Sequence, residues 1–320
     1  MRSFPAALAV LGLLTVGLAG CSLPGSADCS RPAVSDPEVM DLIDVTGDAD
    51  SEPEVDVYTP LQTSHLAFAD VETGEGTAIT APEQLVVIDV ALFSGETGEP
   101  LVATPYDGDL SRVYPVSQWT QNFPGFEEAL QCATEGSRVA IALAPEDIEA
   151  QSAASLGLAE DDSAVAVVDV RKVYLPAADG ADQFNSGTGM PAVVRAPDGR
   201  PGLIMPDGEP PAELTVQTLK KGDGPEVTGE QPVRVHYTGV AWGEDEPFDS
   251  SWDSQPASMT LDGVVPGFAQ ALEGQTVGSQ VLVVIPPELG YGDQEQGSIP
   301  ANSTLVFVID ILGLDQAPAS

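Results

Sequence analysis

Val264-Val265-Pro266-Gly267-Phe268-Ala269-Gln270-Ala271-Leu272 is the stretch on which the fold of the C-terminal third turns. Two β-branched residues end an extended segment and Pro266-Gly267 resists its continuation. Phe268, Ala269, Ala271 and Leu272 then recur at helical spacing, so the stretch predicts a strand-to-helix corner. The flanking runs "QPVRVHYTGV", "SQVLVVIPPELGYG" and "STLVFVIDILGL" are rich in β-branched residues and read as strands. Residues two apart in a strand share a face, which groups Val233, Val235 and Tyr237 on one side and Arg234 and His236 on the other. Leu305, Phe307, Ile309 and Ile311 likewise oppose Val306, Val308 and Asp310. The apolar faces need a cover, and the helix carrying Phe268 supplies it. The expected fold class is α+β, a curved antiparallel β-sheet wrapped around one short α-helix over residues 213–316.

The strings "LKKGDG", "VHYTG", "FDSSWD", "VVPGF", "ELGYG", "IPANSTLVF" and "IDIL" follow the order and spacing of the FKBP-type peptidyl-prolyl cis-trans isomerases, which this region resembles. The resemblance implies a substrate pocket whose apolar walls and floor are Tyr237, Phe248, Val264, Val265, Phe268, Ile299 and Phe307. It implies that Asp249 contacts the twisted carbonyl region and is positioned by a tyrosine hydroxyl. Tyr291 and the Val265 N–H are the implied donors to substrate, so Asp249, Tyr291 and Tyr237 form the implied catalytic set. The chain departs from the best-known members at the pocket floor, where Phe268 replaces a tryptophan, and at a wall position occupied by Ala257. The flap "GDQEQGSIP" offers little apolar surface besides Ile299. Affinity for macrolides of the tacrolimus type, which the resemblance also implies, is set against those changes.

The residue chemistry agrees with that expectation. The region holds no Ser-His-Asp or Cys-His arrangement, no phosphate-cradling glycine loop and no metal-ligand cluster, and its one histidine, His236, lies on the face away from the pocket. No cofactor and no metal are expected. Rotation about an X-Pro bond needs neither: its barrier of roughly 18–20 kcal/mol comes from amide resonance. A dry aromatic pocket removes the water that favours the planar, charge-separated amide, and a site shaped for the twisted form binds it better than either planar isomer. A non-catalytic chaperone or peptide-binding lipoprotein using the same pocket is the alternative.

The sequence predicts the fold twice: Asn122-Phe123-Pro124-Gly125-Phe126-Glu127-Glu128-Ala129-Leu130 lies over Val264 to Leu272 without a gap. "VETGEG" parallels "LKKGDG", and "VVDVRKV" parallels "VIDILGL". Val90 stands where the second copy has Tyr237, Leu101-Val102 where it has Phe248-Asp249, and Leu158 near the place of Tyr291. Residues 55–177 are therefore expected to form a degenerate, catalytically silent FKBP-like domain. A Pro- and Gly-rich linker over 178–212 follows, in which Val193-Val194 and Leu203-Ile204 are expected to pack on one domain, and 317–320 form a tail.

Arg2 precedes an apolar run from Phe4 to Gly20 ending in Leu18-Ala19-Gly20-Cys21, which resembles a bacterial lipobox. This predicts a signal peptide over 1–20, lipidation of Cys21 and an extracytoplasmic chain held to the outer face of the membrane. Residues 21–54 are polar, acidic and proline-containing, and are expected to be a disordered tether. Asp44, Asp48, Asp50 and Glu52 lack the glycine and final glutamate of a calcium loop. Cys29 and Cys132 remain once Cys21 is set aside; a disulfide between them is expected, with free buried thiols as the alternative. A net charge of -39, from 50 acidic and 11 basic residues, argues against nucleic acid as a partner. The expected partners are proline-containing exported polypeptides.

Overall fold

Several runs of Val, Ile and Leu are apolar at every position, so their strands present two faces to be covered. The computed structural model describes residues 29–48, 51–185, 187 and 189–317. The expected leader 1–20 and Cys21 lie outside the described residues, as does most of the 317–320 tail.

Residues 29–48 and 51–57 are ordered, which corrects the expected tether reaching residue 54. Cys29 is joined to Cys132 by a disulfide, with the Cα atoms 5.4 Å apart. Arg31 then pairs with Asp70, donates to the Ala129 carbonyl and lies over the Phe68 ring. Asp36 caps helix α1 (Pro37–Met40), accepting from Glu38 N at 2.9 Å and Val39 N at 3.3 Å. Strands β1 (Ile43–Thr46) and β2 (Glu54–Val57) form a hairpin whose Ile43, Val45, Val55 and Val57 face a sheet. Acidic composition hid this alternation: the carboxylates point outward while every second residue is apolar.

That sheet is antiparallel, built from β3 (Ala67–Glu72), β4 (Leu85–Ser94), β5 (Pro100–Ala103), β6 (Tyr114–Pro115), β7 (Arg138–Leu143) and β8 (Ala164–Val173), in the order β3-β7-β8-β4-β5 with β6 on β4. One face, with Val86, Ile88, Val90, Val139, Ile141 and Val168, packs on α3 (Phe126–Leu130). Here the expectation of a single helix is corrected, because α2 (Val116–Thr120) and α4 (Ala150–Leu156) also border this core. The other face, with Ala91, Phe93, Val165 and Val167, is covered by the β1–β2 hairpin and Met40. A buried pair, Arg138 Nε to Asp169 Oδ1 at 2.7 Å, crosses this second face. Arg138 continues to the hairpin turn, donating to the carbonyls of Gly47 at 2.9 Å, Asp48 at 3.1 Å and Ser51 at 2.9 Å.

The chain leaves β8 through Tyr174, whose ring is fully buried and whose hydroxyl donates to Asp315 at 2.7 Å. Arg234 also grips Asp315, at 2.8 Å, and lies over the same ring. Beyond it, Ala178 N donates to Asp310 Oδ2 at 2.9 Å and β9 (Ala181–Asp182) pairs with β12 (Thr215–Lys221). The intervening linker is partly built into the second half. Strands β10 (Ala192–Arg195) and β11 (Pro201–Ile204) form a second hairpin, with Val193 and Leu203 packed inward and Val194 and Ile204 exposed.

The second sheet adds β13 (Val233–Ala241), β14 (Asp249–Ser250), β15 (Ala257–Met259), β16 (Gln280–Ile285) and β17 (Leu305–Leu314) in the order β14-β13-β17-β16-β12-β9, with β15 also on β13. Its inner face, from Val233, Val235, Val281, Val283, Ile285, Leu305, Ile309 and Ile311, packs on α5 (Pro266–Leu272). Its outer face, from Leu282, Val284, Val306 and Val308, lies under the β10–β11 hairpin, Met190 and Trp242. Both halves are mostly antiparallel sheet with few and short helices, an α+β arrangement.

The disulfide closes a loop of sequence separation 103. By chain-entropy arithmetic its loss costs about 3–5 kcal/mol. The double variant Cys29→Ser/Cys132→Ser is therefore expected to shift the urea transition of the first half by that amount, and dithiothreitol to reproduce the shift in the native chain. An unchanged midpoint in both would show that Arg31 and the β1–β2 hairpin hold the segment unaided.

Candidate active site

Strand β13 is the element that brings the predicted residues together. Gly239 pairs with Asp249 and Thr238 with Ser250, so the short strand β14 is laid beside Tyr237. The Tyr237 hydroxyl donates to Asp249 Oδ2 at 2.5 Å. Behind the pair is an aromatic cluster with Phe307 at its centre. Its ring centroid lies 5.1 Å from Phe268, 5.5 Å from Phe248 and 6.3 Å from Tyr237, the first two edge to face. Such arrangements favour the ring quadrupoles and fix each ring's tilt. Phe268 and Phe307 are buried, while Tyr237 and Phe248 are half-buried and so present apolar edges outward.

Two glycines make this packing possible. A side chain on Gly239 would put its Cβ 2.6 Å from Phe307 and 2.7 Å from Phe248, in the space those rings occupy. At the start of α5, a Cβ on Gly267 would come within 2.4 Å of Ile285, so only glycine lets the helix descend far enough to seat Phe268 against Phe307. Pro266 opens the helix where no backbone N–H is required. Val265 precedes it in extended conformation, half-buried, and among the described residues its N–H has no hydrogen-bond partner.

The apolar residues predicted from sequence share the core of the second half. Tyr237, Phe248, Val264, Val265, Phe268, Ile299 and Phe307 belong to or pack on one apolar cluster. Tyr291, in the turn after Pro287–Leu289, is 37% exposed, a large ring left facing outward. Burial raises the Tyr237 hydroxyl well above the ordinary phenol range, its hydrogen bond to Asp249 adds to this, and the nearby Tyr291 adds a smaller push. Tyr237 therefore stays a donor at any physiological pH. Gly239 and Ser251 were not singled out by sequence. Ser251 Oγ accepts from Tyr237 N at 2.9 Å and contacts His236 Nδ1 at 2.9 Å, and His236 stacks on Trp252 with centroids 4.3 Å apart. Serine in "DSSWD" offered no signal for this beyond its place after the aspartate.

The corresponding place in the first sheet differs in shape. Val90 pairs with Val168 and Leu92 with Ala166, where Tyr237 pairs with Ile309 and Gly239 with Phe307. Leu92 is buried there, and Ala166 carries no ring. Phe123 stacks on Phe126, with ring centroids 5.1 Å apart.

The family model for the FKBP-type peptidyl-prolyl cis-trans isomerase matches residues 224–312. The chain is 38% identical over 120 residues to the FK506-binding protein of Streptomyces anulatus, an alignment covering 36% of this chain and 97% of that protein. It is 36% identical over 114 residues to the probable FK506-binding protein of Corynebacterium glutamicum, covering 35% and 97%. Among solved structures, the crystal structure of FkpA from Escherichia coli aligns at 32% identity and a TM-score of 0.32, covering 42% of this chain and 55% of that one.

Burial holds His236 neutral, with its pKa pushed down to about 4 from an ordinary 6.5. A ring whose folded pKa is depressed contributes stability above about pH 6.5 that is lost as pH falls through about 4. Asp310, pushed up to about 6 chiefly by burial, runs the opposite way: its contribution is complete at low pH and is lost as pH rises through 6. The variant His236→Gln should therefore lose less stability than the native chain between pH 7 and pH 4.5 in urea titrations. Equal losses would mean that the ring gains a proton without disturbing the fold.

Proposed function

Since the chain belongs to the FKBP-type peptidyl-prolyl cis-trans isomerase family, we propose that its isomerase activity resides in the second sheet, at the cluster of Tyr237, Phe248, Asp249, Val264, Val265, Phe268, Tyr291, Ile299 and Phe307. The observation that carries this reading is the 2.5 Å hydrogen bond from Tyr237 to Asp249 at the exposed edge of an aromatic cluster. A prolyl ring laid against Phe268 and Phe307 excludes water from one side of the X-Pro amide. Removing that water destabilises the planar, charge-separated ground state more than the twisted one. Asp249, held by Tyr237, stands near the carbonyl carbon as it rotates out of conjugation. The free Val265 N–H and the Tyr291 hydroxyl donate to the flanking carbonyls and fix the peptide on either side of the rotating bond. A thousandfold acceleration asks about 4 kcal/mol of these effects together, which one dry apolar contact and two or three oriented hydrogen bonds supply.

The first sheet is a degenerate FKBP-like copy in this reading. What supports this is the shared strand order and the matching residue pairs, together with Val90, Leu92 and Ala166 in the places of Tyr237, Gly239 and Phe307. The clients are proline-containing exported polypeptides, and Cys21 carries a lipid that holds the chain at the outer face of a bacterial membrane. Seven residues, 22–28, separate Cys21 from the disulfide at Cys29, a reach of about 29 Å at most. The first sheet would then stand close to the lipid surface. A macrolide of the tacrolimus type competes for the same apolar walls, with the shallower floor at Phe268 weakening its hold.

The test is a proline-containing peptide assay on the full chain. Asp249→Val and Tyr291→Leu install the residue types found in the first copy and should each lower kcat/KM roughly 10- to 100-fold. The double variant should fall to the uncatalysed rate, because the first copy contributes no turnover. Retained turnover in the double variant would move the activity elsewhere in the chain. Labelling of expressing cells with a fatty acid, compared with a Cys21→Ala chain, tests the anchor; equal label in both would remove it.

A further inference from the structure

Strand β14, which carries Asp249, is two residues long, lies at the sheet edge and is paired to β13 at only two positions. Edge segments this short open readily, yet a catalytic carboxylate must be held within about half an ångström of its working position. The segment 249–254 therefore needs support from outside the strand pair. Its inner contacts are backbone bonds from Phe248 N to Gly239 O at 2.9 Å and from Ser251 N to Tyr237 O at 3.1 Å, and side-chain contacts from Asp249 to Tyr237 and from Ser251 to both Tyr237 N and His236. His236 stacks on Trp252, with centroids 4.3 Å apart and planes inclined by 17°. The six-membered ring of Trp252 lies beside the turn of the β10–β11 hairpin. A Cβ on Gly199 would sit 3.4 Å from Trp252 Cη2, and the neighbouring Arg200 pairs with Asp253. The hairpin is itself fixed: Val193 and Leu203 pack on Leu282, Val284, Val306 and Val308, and Arg195 donates to Gln280 at 2.7 Å.

We propose that the turn of this hairpin, residues 196–200, is a positioning element for the isomerase site, holding Asp249 against Tyr237 through Trp252, His236 and Ser251. The proposal rests on the assignment of the site to Tyr237 and Asp249. The element lies wholly outside residues 224–312, where the family model matches. The exposed Arg200–Asp253 pair is worth little alone in water. The stacked and half-buried Trp252 therefore bears most of the coupling. Loosening it lets β14 drift from β13 while the aromatic floor, seated on the core, stays in place. Peptide binding survives and the rotation step slows.

The experiment uses the full chain with residues 197–199 replaced by Asn-Gly, a two-residue turn that closes on the Ala196–Arg200 pair but is too short to reach Trp252, and with Arg200→Ala. On an X-Pro peptide, kcat should fall about tenfold with KM within about twofold. In an Asp249→Asn background the same replacement should cost less than about twofold, because the carboxylate it positions is gone. Trp252→Ala should reproduce the tenfold loss and Trp252→Phe, which keeps a stacked ring, should restore most of it. Equal fold-losses in the two backgrounds, or a native rate in the shortened chain, would overturn the proposal. Should the shortened chain fail to fold, a native rate for Trp252→Ala overturns it on its own. The rate of the unmodified chain, compared with Asp249→Asn, reports separately on the site assignment.

Discussion

Double-sided burial of the central strands is the constraint from which the rest of this architecture follows. Gln280–Ile285 and Leu305–Leu312 are buried at every position, as are Leu85–Ser94 and Arg138–Leu143. A sheet of this kind cannot stand with one face in water, since each exposed Val or Ile would forfeit about 1.5–3 kcal/mol of burial. Each sheet therefore carries two covers, a helix on one face and a hairpin on the other. The helix side generates the aromatic cluster and the site. The hairpin side generates order in segments whose composition looks like linker.

The two covers repeat with the sheets. Hairpin 43–57 precedes the first sheet and hairpin 192–204 precedes the second, each lying across the face opposite the helix. Each meets a buried polar pair at the same register position, Arg138–Asp169 in one and Gln280–Asp310 in the other. In the first half an arginine on the sheet reaches the carbonyls of the hairpin turn. In the second an arginine on the hairpin, Arg195, reaches the sheet. A guanidinium spans the layer in both cases, and its five donors suit it to bridge backbone carbonyls or an amide oxygen.

How much of this was legible follows from what each residue was asked to do. The alternation of Val233, Val235 and Tyr237, and of Leu305 to Ile311, announced the inner face correctly because period-two patterning survives in any half-buried strand. The Pro266-Gly267-Phe268 corner was legible because proline and glycine have few structural meanings. The pairing of Val90 with Val168, matching Tyr237 with Ile309, was readable through the parallel of "VVDVRKV" with "VIDILGL". Residues 29–57 were not, since carboxylates on the outward positions of short strands make a packed hairpin resemble a solvated coil. Gly239, Ser251 and Trp252 were invisible as site residues for another reason. Their contribution is the space they leave or the contact they relay, and neither shows in a side chain's own chemistry.

Asp310 shows why the halves are not independent beads on a string. Its counterpart Asp169 is compensated by Arg138 at 2.7 Å, whereas Asp310 faces the neutral amide of Gln280 at 2.7 Å. Burial lifts the pKa of both carboxylates, and that of Asp310 reaches about 6 with no contacting cation to set against the cost. That cost is offset by a bond the first sheet does not make: Asp310 accepts the Ala178 N–H at 2.9 Å, and Lys220 grips the Ala178 carbonyl at 2.8 Å. Ala178 lies on the segment leaving the first sheet, four residues past the buried Tyr174, whose hydroxyl is held by Asp315. Two aspartates of the same C-terminal stretch thus receive the exit of the first half. An arginine at position 280, as in the first sheet, would neutralise Asp310 and compete with Ala178 for its oxygens. The polar residue chosen at one buried position therefore decides whether the carboxylate beside it serves its own sheet or binds the neighbouring one.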